Sequence, residues 1–290
     1  MQVVLLSGLS GSGKSVALKA LEDNGYYCVD NLPVQLFAET VELLRADGHE
    51  RIAISIDARG GEAVALLPGH LDTLKRQGVD ARLVFLDSKD DTLIRRYAET
   101  RRRHPLAIGQ TTLAEAIGRE RDLLTGVAES GHRIDTSDLL PNTLRGWIKD
   151  LLLAGQGQTS LLFESFGFKQ GLPLDADYVF DVRCLPNPFY DPRLKHLWGT
   201  DAEVIRFLEN DAGVRKMTAD IRGFLEAWLP SLRRDNRAYV TVAIGCTGGQ
   251  HRSVYLVEQL AAYFRDPSRA QGPVLVRHRH MDARHEAKPA

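Results

Sequence analysis

The octapeptide Gly8-Leu9-Ser10-Gly11-Ser12-Gly13-Lys14-Ser15 constrains the fold of this chain more than any other stretch. It fits G-x-x-x-x-G-K-[ST] at every fixed position. Val3-Val4-Leu5-Leu6 before it is a short apolar run with β-branched residues, which predicts a buried strand. After it, Val16, Leu18 and Leu21, with Ala17 and Ala20, keep helical spacing as far as the stop at Asn24-Gly25. A glycine-rich turn between a strand and a helix is the setting of a phosphate-binding P-loop. Glycines let several backbone N–H groups converge on one anion without Cβ clashes, and the helix N-terminus adds partial positive charge. In that reading Lys14 reaches the β- and γ-phosphates of ATP or GTP, and the Ser15 hydroxyl ligates Mg²⁺. The alternative is a Gly/Ser turn with an incidental lysine.

Downstream, strands and helices alternate. Tyr26-Tyr27-Cys28-Val29 predicts a second strand, and Pro33 opens a helix on which Phe37, Val41 and Leu44 share a face. Arg51 to Asp57 predicts a strand ending in an aspartate, similar to a Walker B strand whose carboxylate serves Mg²⁺. Asp57-Ala58-Arg59-Gly60 continues as D-x-x-G, a pattern that in GTP-binding proteins contacts the γ-phosphate region. Lys14 and Asp57 are therefore the candidate catalytic pair, and Ser15 and Asp57 the candidate metal ligands. The alternative for Asp57 is an N-cap of the helix carrying Val64, Leu67 and Leu71.

Arg82 to Asp87 predicts another strand, followed by a helix over 91–103 capped by Ser88 or Asp90. Arg95, Arg96, Arg101, Arg102 and Arg103 crowd that helix, either as a clamp on transferred phosphates or as a solvated basic face. Residues 111–129 predict a charged, lid-like helix, Arg133 to Asp135 a short last strand, and 142–153 a closing helix. This alternation predicts an α/β fold: a P-loop NTPase or kinase-like parallel sheet with helices on both faces, with ligand at the C-terminal ends of the strands. The polar, Gly-rich stretch 154–159 marks a boundary, so residues 1–154 form the expected nucleotide domain and 160–290 a second α/β domain.

The second half carries a second turn of the same kind. The apolar run Val240 to Ile244 leads into Gly245-Cys246-Thr247-Gly248-Gly249-Gln250-His251-Arg252-Ser253, and the helix 254–264 follows. Strand, nest and helix N-terminus again make anion-binding geometry. Cys246 and Arg252 are spaced C-x5-R, like the phosphate loop of cysteine-dependent phosphatases. There a thiolate attacks phosphorus and an arginine grips the equatorial oxygens. Three readings stay open: a phosphomonoester binding site without catalysis, a working phosphatase with Gly245 in place of the usual histidine, and a structural turn around a buried cysteine. Earlier in this half, 161–166 and 176–182 predict strands, and 202–209 and 214–229 helices. The C-terminus from Val276 to His280 is locally basic, with Arg284 and Lys288 beyond. It reads either as a solvated tail or as a contact for a phosphate backbone.

Composition limits the alternatives. With 37 basic and 38 acidic residues the net charge is −1, so any nucleic-acid contact comes from a local patch. Three scattered cysteines, Cys28, Cys184 and Cys246, make neither a disulfide framework nor a zinc pattern. The N-terminus enters a strand at once without the basic n-region of a signal peptide, and no apolar run is long enough to span a bilayer. The expectation is no membrane association and a cytoplasmic location.

Five stretches together resemble one bacterial family: the P-loop octapeptide, Asp30-Asn31-Leu32-Pro33, Ser165-Phe166-Gly167-Phe168-Lys169, the run Asp175 to Arg183, and Gly245 to Ser253. It is the RapZ/YvcJ family of P-loop nucleotide-binding proteins, known in enteric bacteria as RNase adapters, and the resemblance covers nearly the whole chain. It implies a kinase-like N-terminal domain with weak ATPase and GTPase activity, a homo-oligomer, and a C-terminal domain that binds glucosamine-6-phosphate and small regulatory RNA, with an RNase as partner. The sugar-phosphate site would use Asp181, which lies in a matching motif, with Cys246, Thr247, Gly248, Gly249, His251, Arg252 and Ser253. RNA would use Arg277, Arg279, Arg284 and Lys288, although the enteric members carry a denser run of lysines and arginines there. The rival reading is an ordinary enzyme: a small-molecule kinase using the P-loop, or a Cys-dependent phosphatase.

Overall fold

β-Branched and leucine-rich runs alternate with helically spaced segments throughout, and the chain lays them down as two parallel sheets. The structure, a computed structural model, describes residues 1–107, 109–153, 159–234, 239–266 and 272–281. It divides into two compact units, Met1–Leu153 and Ala154–Ala290.

The first unit runs β1 (Gln2–Gly8), α1 (Lys14–Asp23), β2 (Tyr27–Val29), α2 (Phe37–Ala46), β3 (Arg51–Ser55), α3 (Leu67–Arg76), β4 (Asp80–Asp87), α4 (Asp90–Thr100), α5 (Leu113–Ser130), β5 (His132–Asp135) and α6 (Pro141–Leu153). The strands are all parallel, in the order β2-β3-β1-β4-β5. Strand β1 is central and buried on both faces, as its unbroken apolar sequence requires. Val3 and Leu5 join a core with Phe37, Ile52, Ile54 and Leu124, while Val4 and Leu6 are buried on the opposite face.

Two helices differ from their sequence expectation. Helix α4 stops at Thr100 because Arg101 takes the left-handed conformation (φ 52°), so Arg102 and Arg103 fall outside it and the predicted arginine face does not form. Its N-cap is Lys89, without a side-chain cap, in place of Ser88 or Asp90. Helix α5 begins with a capping box between Thr112 and Glu115 and buries Ala116, Ile117, Glu120, Leu124 and Val127. That buried face makes it a core helix, not a lid.

The second unit contains β6 (Ser160–Gly167), β7 (Tyr178–Asp181), α7 (Ala202–Glu209), α8 (Ala212–Arg234), β8 (Tyr239–Cys246), α9 (Arg252–Arg265) and β9 (Val274–His278). Its parallel sheet has the order β7-β8-β6-β9. Phe163, Val240, Val242, Ile244, Leu256 and Leu260 form its core.

Strand β9 overturns the reading of a basic tail. Val274-Leu275-Val276 pairs with Leu161 to Phe163 of β6, and the strand carries the following residues inward. Arg277 and Arg279 are only 2% and 6% exposed. Arg279 lies 3.2 Å from the buried Glu164 carboxylate and 3.8 Å from Asp175. Arg279 balances buried acids, and neither buried arginine presents an RNA-facing surface. Arg284 and Lys288 lie outside the described residues.

Candidate functional site

In the first unit the strand order reverses at β1, so the loop after β1 opens at the switch point where open α/β sheets take ligands. Backbone conformation accounts for the glycines that matter most. Gly8 has φ +142°, and a Cβ there would sit 2.2 Å from the Leu86 carbonyl oxygen. Gly13 has φ +104°, and its Cβ would sit 2.9 Å from Leu144. A side chain at Gly8 would push the loop off β4, and at Gly13 it would be strained by the left-handed backbone. Leu9 is buried in the core, and the Ser12 carbonyl accepts a hydrogen bond from the Thr136 hydroxyl at 2.8 Å. Arg96 of α4 donates to the Gly11 carbonyl at 3.0 Å and to Thr136 O at 2.6 Å. Arg96 therefore braces the loop from behind.

Lys14 curls over the loop, its Nζ donating to Gly8 O at 2.6 Å and Leu9 O at 3.1 Å. Burial lowers its pKa below that of an ordinary lysine, and the carboxylates of Glu120, Asp57 and Asp30 oppose the shift. Asp57 caps the 3-10 segment Ala58–Leu66, accepting from the Arg59 backbone N–H at 3.0 Å, and its other oxygen lies 3.2 Å from Arg59 Nε. It is thus a cap and also a charge in the field of Lys14. Ala58 is buried, and Gly60 faces Val34 and Val64 closely enough that a Cβ would touch both. Ser15 is exposed at the start of α1. The Ser15 hydroxyl and the Asp57 carboxylate are hard oxygen donors of the kind Mg²⁺ takes. When bound, the ion would neutralise charge on phosphate oxygens.

No motif in the chain points to Glu120. This fully buried carboxylate of α5 accepts the Ser10 backbone N–H at 2.8 Å and the Ser10 hydroxyl at 2.7 Å. His104, also buried, lies 3.1 Å from the same carboxylate. The contact spans 110 residues of sequence, so no local pattern could reveal it.

In the second unit the loops after β6 and β8 lie side by side, with Gly167 in register with Cys246 and Asp181 of β7 in register with Gly245. A Cβ on Gly245 would sit 2.4 Å from the Phe166 ring and 2.5 Å from that of Phe168, which explains why no histidine precedes the cysteine here. Gly249 has φ +69°, and its Cβ would strike His280 at 2.4 Å. At Gly248, by contrast, a Cβ would meet nothing within 4 Å, so the loop is open on that side.

Cys246 is 3% exposed, with its Sγ 3.2 Å from the Ser253 hydroxyl. Burial pushes the thiol pKa up. The Ser253 hydroxyl, the backbone N–H groups of Ser253 and Gly249, and the Arg252 charge outweigh that and leave it below the ordinary value. Arg252 is 4% exposed. Its Nη1 donates to the carbonyls of Arg183 (2.7 Å) and Leu185 (3.0 Å), and its Nη2 to the Thr247 hydroxyl (3.2 Å). Its Nε is buried without a hydrogen-bond partner. One edge of the guanidinium is thus anchored, and the other carries donor capacity over the loop.

His251 is committed elsewhere: its Nε2 donates to the Leu194 carbonyl at 3.2 Å, and burial lowers its pKa, keeping the ring neutral at pH 7. Asp181 is exposed and grips Arg183 through both carboxylate oxygens, at 2.7 to 3.0 Å. That pair, opposed by a little burial and helped by the Arg183 N–H and the Arg252 charge, holds Asp181 below the usual carboxylate range. Arg183 in turn stacks on the Phe168 ring at 4.0 Å.

A parallel sheet of this order, with this loop after its central strand, defines the first unit as a P-loop fold. Residues 1–156 match the RapZ-like N-terminal domain and residues 159–282 the RapZ C-terminal domain, and the chain belongs to the RapZ family. A nucleotide-binding protein of Aromatoleum aromaticum is 60% identical over 281 residues, covering 96% of this chain and 94% of its own. One from an Azoarcus species is 57% identical, covering 100% and 99%. Among solved structures, shikimate kinase from Bacteroides thetaiotaomicron aligns over 52% of this chain and 98% of its own, at 18% identity and a TM-score of 0.36. Among the described residues, no helix is long and apolar enough to cross a membrane.

Proposed function

We propose that this protein binds ATP or GTP with Mg²⁺ at the P-loop, hydrolysing it weakly, and binds an amino-sugar phosphate such as glucosamine-6-phosphate at the loop from Cys246 to Ser253. It acts as a cytoplasmic, homo-oligomeric regulator that reports this metabolite to a small regulatory RNA and an RNase. The observation that carries the reading is the presence in one chain of two strand–turn–helix nests, each with a cation bent over its own loop: Lys14 on Gly8 and Leu9, Arg252 on Thr247. Names borne by the 51–60% identical relatives support the nucleotide half, and the RapZ family role supports the regulatory half. The Asp181 carboxylate beside the second nest suits an ammonium group on the ligand. Held ionised by Arg183, it cannot protonate a sugar leaving group, which favours binding over hydrolysis there. RNA contact falls to surfaces other than Arg277 and Arg279.

Calorimetric titration of the full chain tests this. ATP or GTP and glucosamine-6-phosphate are expected to bind independently. Lys14→Ala removes only the first, by on the order of 100-fold, and Arg252→Ala only the second. Filter binding of RNA at several salt concentrations tests the partner, because phosphate contacts give a negative salt slope. No nucleotide binding by the wild type, or one substitution that removes both ligands, would overturn the assignment of sites.

A further inference from the structure

We propose that Cys246 is a phosphoryl-accepting nucleophile and that its loop hydrolyses phosphate compounds whose leaving group departs without a proton, namely acyl and aryl phosphates, while holding alkyl phosphates intact. This rests on the reading of the loop as a phosphate site and adds a reaction to it.

Three observations converge. First, the nucleophile is built: the Cys246 sulfur sits at the floor of the turn, hydrogen-bonded to the Ser253 hydroxyl at 3.2 Å and held below the ordinary thiol pKa by that bond, two backbone N–H groups and Arg252, against the effect of its burial. Second, the grip is built: Arg252 is nine-tenths buried, its Nη1 is fixed by two carbonyls, and its Nε is left without a partner. At Gly248 a Cβ would meet nothing within 4 Å, so the loop backbone is open there.

Third, the acid is missing. The carboxylate beside the loop, Asp181, is tied to Arg183 and ionised. The imidazole beside it, His251, is neutral and donates to the Leu194 carbonyl. A sugar alkoxide needs a proton to leave, whereas a carboxylate or a phenolate does not.

The reaction balances without any co-reactant except water. The Cys246 thiolate forms an S–P bond as the P–O bond to the leaving group breaks, and that group departs with the electron pair as a carboxylate or phenolate. Water then attacks phosphorus and releases its proton to bulk water. The S–P bond breaks, inorganic phosphate leaves, and the thiolate is restored. An ionised Asp181 cannot supply the proton of the first step.

The test uses the full chain in EDTA, with acetyl phosphate, p-nitrophenyl phosphate and glucosamine-6-phosphate in parallel. Phosphate release is expected from the first two at a rate at least about 100-fold above that from the third, each 1.4 kcal/mol of barrier being a factor of ten. Glucosamine-6-phosphate should inhibit competitively. Acid quenching with labelled acetyl phosphate should trap label on the protein, and Cys246→Ser should abolish both label and turnover. Ser253→Ala should slow turnover and shift its pH profile upward, because the thiolate loses a donor. If glucosamine-6-phosphate binds but no donor is hydrolysed, the nucleophile proposal is wrong and the phosphate-site reading stands. If nothing binds, both fail. Turnover that survives Cys246→Ser would assign the chemistry to another group.

Discussion

The P-loop and the Cys246 loop are two solutions to the same problem, and they differ in how the cation is held. Both end a buried parallel strand in a glycine turn and open a helix there. In the first unit the cation is a lysine on the helix's first residue, flexible enough to fold back on two loop carbonyls, and the loop is braced from behind by Glu120 and Arg96. In the second, the cation is a buried arginine locked by two carbonyls, and the loop is braced in front by the aromatic pair Phe166 and Phe168. A point charge on a long stem suits a phosphate chain that must be gripped at more than one place, while a fixed planar fork suits a single phosphate group. The first site therefore tolerates a moving cation over a rigid loop, and the second requires cation and loop to be rigid together.

The largest expected break in this contrast is Arg252→Ala. It removes a phosphate donor and also leaves the Arg183 and Leu185 carbonyls without their buried donor. Sugar-phosphate affinity should fall at least about 100-fold and the second unit should lose about 2–4 kcal/mol, whereas Lys14→Ala should cost the first unit under about 1 kcal/mol. Denaturant unfolding of each variant reads both numbers, and equal stability losses would erase the contrast.

Next comes the brace. Glu120→Ala leaves the Ser10 N–H, the Ser10 hydroxyl and His104 without a buried partner, so the first unit should lose about 3 kcal/mol, a fall in Tm of roughly 6–12 °C. Glu120→Gln, which keeps an acceptor for Ser10, should recover more than half of that loss in the same calorimetric scan. A smaller effect is expected from Gly245→Ala, whose methyl group meets two aromatic rings. About 1–3 kcal/mol of overpacking is expected, with a measurable loss of sugar-phosphate affinity.

The smallest effect sharpens the comparison through the cysteines. Burial, with Glu22 and Asp30 nearby, pushes the Cys28 thiol of the first unit up to about 11. Cys246 moves the other way. Because its folded pKa is depressed, its contribution to stability is present above the ordinary thiol value and is lost as pH falls through the folded value. Thiolate ultraviolet absorbance should therefore show a low-pH step that disappears in Cys246→Ser and a high-pH step that does not.

Much of this was legible in the order of residues. The P-loop octapeptide and the C-x5-R turn each announce strand, nest and helix, because their glycines and hydrophobic periods act locally. Asp57 was legible as the cap of the segment after its strand, and it takes that position. The strand β9 was signalled by Val274-Leu275-Val276, but the basic residues after it drew the reading toward a tail.

What the sequence determined by itself was the two nests and the alternation that makes each unit a parallel sheet, since local periodicity and glycine placement are short-range properties. Only the tertiary structure decided which charges are free to meet a ligand. Arg277 and Arg279 look like RNA contacts until strand pairing carries them in beside Glu164. Asp181 looks like one more residue of a phosphate site until Arg183 ties up both of its carboxylate oxygens. Glu120 looks like one more charge on a helix until packing places it under Ser10. Burial and ion pairing depend on residues far apart in the chain, and a charge takes its role from the partner that folding brings to it.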